Sequence, residues 1–107
     1  MVPLELSVQE VKQRLDDDSS AFSFIDCREQ VEYDAARIDG ATLIPMNEIP
    51  GRVSEIDKDK PVIIHCHHGG RSYRVMEYLR SQGYQAINMA GGIDAWSLEI
   101  DSSVPRY

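Results

Sequence analysis

Val62-Ile63-Ile64-His65-Cys66-His67-His68-Gly69-Gly70-Arg71-Ser72 is the stretch from which the rest of the chain can be read. Its first four residues are the most apolar run in the sequence. They follow a charged turn, Lys58-Asp59-Lys60-Pro61, so they read as a central strand buried on both faces. A cysteine ends that strand. Two glycines follow within four residues, then an arginine, then Val75, Met76 and Leu79 at helical spacing. A helix is therefore expected to begin between Gly70 and Ser72, with Gly83 as its left-handed terminal residue.

The same alternation continues outward. Ser7-Val8-Gln9-Glu10 has the spacing of a capping box, and Val8, Val11 and Leu15 carry the helix on until Asp16-Asp17-Asp18 ends it. Phe22 to Ile25 reads as a short buried strand. Val31, Ala35 and Ile38 suggest a helical turn or two, closed by Asp39-Gly40. Thr42 to Ile44 is a further strand, stopped by Pro45. Asn47 is expected to cap a helix bearing Ile49, Val53 and Ile56. Ala86 to Met89 is another strand, and Gly91-Gly92 leads into a short helix with Ile93 and Trp96 as core residues. Strands alternating with helices predict an α/β fold with a mainly parallel sheet covered by helices on both faces. Right-handed crossovers then gather the strand C-termini, Cys66 among them, along one edge, where such sheets bind ligands.

The residues after Cys66 suit anion chemistry. Gly69 and Gly70 let the backbone turn back around the sulfur. Peptide N–H groups of the loop then form a nest, and the helix N-terminus adds partial positive charge. Such surroundings lower a thiol's pKa, so Cys66 is expected to be a thiolate near neutral pH and the catalytic nucleophile. Arg71 either binds an anionic substrate or holds loop carbonyls, with its charge facing the mouth. Ser72 is read as the helix cap, with a hydroxyl in the nest as the alternative. His67 and His68 are read as entrance groups rather than proton carriers. Cys27 is read as a small buried hydrophobe, with a resolving thiol as the sharper alternative.

The 107 residues suit one domain, 1–107, with a core from about 4 to 100 and a tail at 101–107 that is either a surface strap or a frayed end. A net charge of −7 argues against nucleic-acid binding, and no apolar run is long enough to cross a membrane. Two cysteines make no disulfide framework, and no Cys/His spacing suggests a structural metal site. The expected location is the cytoplasm. The charge also predicts repulsion of anionic substrates, which Arg71, Arg74 and Arg28 are expected to offset by surrounding the sulfur.

Ile25-Asp26-Cys27-Arg28-Glu29, then Glu32-Tyr33, Ile38-Asp39-Gly40-Ala41 and Ile44-Pro45, resembles the first signature of the rhodanese domain. Cys66 to Ser72 is similar to its active-site loop, C-x-x-G-x-R-S, and Gly83-Tyr84, Ala90-Gly91-Gly92-Ile93 and Trp96 resemble its closing signature. Three motifs in order over residues 4 to 100 make the resemblance specific. It implies a central five-stranded parallel sheet and a sulfurtransferase that carries sulfur as a Cys66 persulfide. His67, His68, Gly69, Gly70, Arg71 and Ser72 would bind the substrate, without metal or organic cofactor. The implied donor is thiosulfate or another small sulfur compound. The acceptor is cyanide in vitro, or a thiol or protein. A persulfide carrier module in cofactor or transfer-RNA thiolation is the alternative. Asp26 and Arg28 are mainly structural in that family. Cell-cycle-type phosphatases place five residues between cysteine and arginine. Here there are four, which counts against a phosphatase or arsenate reductase.

Overall fold

The computed structural model describes residues 2–107. Five strands form one all-parallel sheet: β1 (Glu5–Leu6), β2 (Ser23–Asp26), β3 (Thr42–Leu43), β4 (Val62–His65) and β5 (Ala86–Met89), in the order β1-β5-β4-β2-β3. The helices are α1 (Val8–Asp18), α2 (Gln30–Ala35), α3 (Ile49–Arg52), α4 (Gly70–Ser81) and α5 (Gly92–Glu99).

The expected central strand is β4, buried along its whole length between β5 and β2. Side chains alternate across it. Val62 and Ile64 pack with Ile25, Val75, Met76 and Leu79 under α3 and α4. Ile63 faces the opposite way, with Val8, Val11, Phe24, Ile87, Ile93 and Trp96 under α1 and α5. Burying each of these aliphatic side chains stabilises the fold by about 1.5–3 kcal/mol. The period of two carries past the strand end, so Cys66 falls on the Val62/Ile64 side, beneath α4. Cys27 follows β2 on that same side.

The capping box of α1 is present, Ser7 accepting from the Glu10 N–H and Glu10 from the Ser7 N–H. Gly83 has the expected positive φ, 90°. Two expectations need correction, and one element was missed. Asn47 is not a cap: it lies within a 3₁₀ turn, Met46–Glu48, that precedes α3. Val31 does not face the core; α2 contributes no buried residue, and Val31 is 73% exposed. The edge strand β1 went unrecognised as a strand, because two residues carry no period.

The chain leaves β2 toward β3 on one side and leaves β4 toward β5 on the other. A crevice opens where neighbouring crossovers diverge. Cys66 and the Asp26-Cys27-Arg28 segment lie at that divide.

Candidate active site

The loop from Cys66 to Gly69 closes around its own first side chain. The Gly69 N–H lies 3.1 Å from Cys66 Sγ, and the Ser72 hydroxyl oxygen lies 3.3 Å from it. Burial pushes the thiol up. Hydrogen bonds from the Ser72 hydroxyl and the N–H groups of Ser72, Gly69 and Arg71 outweigh it, so the Cys66 pKa is lowered. The nest expected from the glycines and the helix start is therefore formed, with its amides directed at the sulfur.

Only one of the two loop glycines is needed for this curl. Gly69 has φ 110° and supplies the left-handed residue ahead of α4. Gly70 is helical and has open space where a side chain would project. A third glycine matters more. A Cβ on Gly92, at φ 61°, would stand 2.4 Å from the His67 carbonyl oxygen and 2.5 Å from that of Cys66. Its absence lets the start of α5 dock on the loop. There Ile93 N–H donates to the Cys66 carbonyl (2.9 Å) and Asp94 N–H to that of His67 (3.1 Å).

Ser72 is not the cap of α4; Gly69 occupies that position. The Ser72 side chain is buried and turned inward, within reach of both Sγ and Asn88 Oδ1. Asn88 is fully buried in β5, a polar residue in a strand otherwise lined by apolar ones. Its Nδ2 donates to Glu5 Oε2 (2.7 Å) and to the Gly69 carbonyl (3.2 Å). Sequence reasoning missed Asn88 and Glu5; the one available signal was an amide inside the run Ala86-Ile87-Asn88-Met89.

The ring of arginines expected around the sulfur is absent. Arg28 is completely buried, its Nε and Nη2 donating to the two oxygens of Asp26 (2.9 and 2.7 Å) and Nη2 also to the Ala36 carbonyl (2.6 Å). It fastens α2 to β2, the structural part that the resemblance implied. Arg74 is exposed and lines an apolar dimple with Met46, Ile49 and Pro50. Arg71 stands at the mouth but donates bidentately to Glu32, 2.6 and 2.9 Å. That contact holds the Glu32 carboxyl down to about 2, overcoming the opposing effect of burial.

His67 is half-buried rather than exposed. Its ring is stacked between His68 (4.0 Å) and Tyr107 (4.1 Å). Burial, then the neighbouring His68, lower its pKa. The tail is a strap: Ser97 donates to the Val104 carbonyl, Arg106 pairs with Asp94, and the Tyr107 hydroxyl donates to Glu32. Polar atoms of His67, His68 and Asp94 lie within 4.8 Å of one another. Nearly parallel rings direct their in-plane lone pairs side by side rather than at one point, and Asp94 is already held by Arg106 at 2.9 Å. That arrangement does not suit a shared ion.

His65 does not reach Cys66 Sγ: it is buried against Phe24, with Nδ1 3.4 Å from the Cys66 carbonyl oxygen and Nε2 3.7 Å from Asp26 Oδ2. Cys27 is a free, buried thiol whose pKa burial raises. A cleft of about 620 Å³ beside Tyr33, Trp96 and Val104 contains none of residues 66–72.

These features define a parallel α/β domain that presents one thiol of lowered pKa at the switch point of its sheet, an arrangement suited to covalent group transfer. The rhodanese-like domain family matches residues 7–99, and the chain belongs to that family of sulfurtransferase domains. It is 40% identical over 94 residues to a sulfurtransferase of Allochromatium vinosum, covering 87% of each chain. It is 33% identical over 72 residues to the thiosulfate sulfurtransferase GlpE of Tolumonas auensis, covering 66% of this chain and 68% of that one. The crystal structure of a rhodanese-like domain protein from Staphylococcus aureus superposes with a TM-score of 0.83 at 31% identity. That match covers 98% of this chain and 99% of the other.

Proposed function

We propose that the protein transfers sulfane sulfur through a persulfide on Cys66. The observation that carries this reading is the convergence of the Gly69 N–H and the Ser72 hydroxyl on Sγ, with the Arg71 and Ser72 amides contributing. In the first step the Cys66 thiolate attacks the outer sulfur of a donor such as thiosulfate. The donor's S–S bond breaks, and its electron pair leaves with sulfite. The amides that held the thiolate then hold the negative persulfide. In the second step a thiophilic acceptor, cyanide in the test tube or a thiol in the cell, attacks the outer sulfur and returns Cys66 to the thiolate. This is two-step nucleophilic catalysis. A curl that gathers amides onto a single sulfur leaves less room for a tetrahedral phosphate than a loop one residue longer. The relative named as a thiosulfate sulfurtransferase supports thiosulfate as an in vitro donor.

Intact-mass measurement tests the reading. The protein mixed with thiosulfate is expected to gain one sulfur atom, lose it on adding cyanide, and gain none as Cys66→Ala. Cys66-dependent hydrolysis of a phosphate ester without any sulfur gain would replace this reading with a phosphatase.

A further inference from the structure

A thiosulfate dianion approaching Cys66 meets, in the arginine of the loop itself, a cation that is already paired. Arg71 is neutralised by both oxygens of Glu32, and Glu32 is itself held by the Tyr107 hydroxyl, 2.8 Å from Oε2. Tyr107 is in turn held by Arg28 Nη1 at 2.9 Å, but that guanidinium is committed to Asp26. On the other rim, Arg106 is committed to Asp94. Closest to the sulfur is the amide nest with its helix terminus, while Arg74 stands exposed further along α4. The partial positive charge of the nest amounts to about half a unit, which the Cys66 thiolate already uses. Beyond the rim lies a chain of net charge −7.

We propose that Glu32, by holding Arg71, is a specificity-determining residue. It sets the charge a donor can carry, and the preferred donor bears its sulfane sulfur on a carrier with at most one negative charge, such as an organic thiosulfonate or persulfide. This inference rests on the persulfide reading above and deepens it. Glu32 does not touch the reacting sulfur. It acts through Arg71, and it is fitted to hold that arginine, since the same carboxylate also accepts the Glu29 N–H at 3.0 Å in the capping box of α2.

Methanethiosulfonate isolates charge from chemistry. It is thiosulfate with one anionic oxygen replaced by a methyl group. Attack by Cys66 Sγ on its outer sulfur breaks the S–S bond and releases methanesulfinate, leaving the same persulfide. The quantity to read is the ratio of kcat/KM for thiosulfate to kcat/KM for methanethiosulfonate. Intrinsic differences between leaving groups cancel when this ratio is compared between variants. Glu32→Gln keeps a capping-box side chain at N3 and releases Arg71. The ratio is expected to rise about five- to tenfold. That is the effect of one unit charge on the one extra charge of the dianion at roughly 7 Å, through an effective dielectric of about 40. The double variant Glu32→Gln with Arg71→Gln is expected to bring the ratio back toward the wild-type value. In the wild-type protein, raising ionic strength from about 0.05 to about 0.5 M is expected to raise the ratio, because the dianion gains more from screening. A Glu32→Gln ratio within twofold of wild type, or a wild-type ratio that falls with salt as a cationic mouth demands, overturns the inference. Sulfur gain by intact mass with both donors, alongside an unmoved ratio, sinks this inference alone. No sulfur gain with either donor overturns the persulfide reading and this one together.

Discussion

Removing the Ser72 hydroxyl gives the sharpest quantitative test of how the site activates its sulfur. The hydroxyl lies 3.3 Å from Sγ, is fully buried, and has one proton for two acceptors, Sγ and Asn88 Oδ1. A hydrogen bond to a charged group is worth about 1.5–3 kcal/mol. Competition from Asn88 brings this one just below that range, to about 1.4 kcal/mol, which corresponds to raising the Cys66 pKa by about one in Ser72→Ala. Nucleophilicity rises with basicity, with a Brønsted slope of about 0.45. Below both pKa values the variant should therefore react about threefold more slowly than wild type, and above both about threefold faster. The two pH–rate profiles must cross. Alkylation of Cys66 by iodoacetamide, followed by intact mass across a pH series, reads this directly, because Cys27 is buried with its pKa raised and stays unreactive. Parallel profiles, or an unshifted midpoint, would refute the assignment of Ser72 as a hydrogen-bond donor to the thiolate. Denaturant unfolding of the same variant should show a loss of about 1–3 kcal/mol from the Asn88 oxygen left without its donor.

Asp26→Asn leaves Arg28 as a buried charge without its counterion, and chemical denaturation should show a loss of about 3–5 kcal/mol; a loss below about 1 kcal/mol would mean that Tyr107 and the Ala36 carbonyl suffice. Gly92→Ala places a Cβ against the carbonyls of Cys66 and His67, so it should abolish sulfur loading in a protein that still shows native far-UV circular dichroism, whereas Gly70→Ala should load normally. Stability should fall as the pH is lowered. Burial, opposed by the nearby Asp26 charge, pushes His65 down to about 4. The unfolded chain binds that proton first, near 6.5, so the contribution is complete above 6.5 and is lost between there and about 4. Glu32, held down to about 2 by Arg71, contributes fully above 4.5 and loses its share as the pH falls toward 2. Urea midpoints across pH 4 to 6.5 should slope upward in the wild type and flatten in His65→Phe; a flat wild-type curve would contradict the burial of a neutral ring.

The parts legible in the sequence are those that one local rule determines. The run Val62 to His65 could only be a central strand, and period-two alternation places Cys66 under α4 without reference to anything distant. The capping box at Ser7 and the turn at Gly83 likewise depend on a few neighbouring residues. What stayed hidden depends on residues brought together by the sheet. Ser72 has the residue type of a cap, but Gly69 takes that position with positive φ, which moves the serine one turn along and inward. Arg71 and Glu32 are 39 residues apart, and Tyr107 reaches Glu32 across 75. No spacing rule couples them, so counting charges along the chain predicted a cationic mouth where folding made ion pairs. Val31 followed an inward period, but α2 lies at the rim and buries no side chain.

Asn88 explains why a serine, rather than a basic residue, can serve this sulfur. Its amide orientation is fixed, because Nδ2 is committed to Glu5 and to the Gly69 carbonyl, which leaves Oδ1 facing Ser72. The Ser72 hydroxyl has one proton with two acceptors in reach; with Cys66 a thiol, pointing it at Asn88 leaves the hydroxyl oxygen able to accept S–H. Once the sulfur ionises, rotation about the Cβ–Oγ bond turns that proton onto Sγ, and the amides of Gly69, Arg71 and Ser72 complete the anion's coordination. A cationic or titratable partner would bind the thiolate more tightly and make it less nucleophilic, whereas a neutral hydroxyl beside fixed amides stabilises whichever sulfur carries the charge. In the proposed transfer, the thiolate before and the persulfide after both carry one negative charge. A site built from neutral donors can hold them in turn without a proton moving on or off the protein, which leaves the Arg71–Glu32 pair at its rim free for the proposed choice of donor.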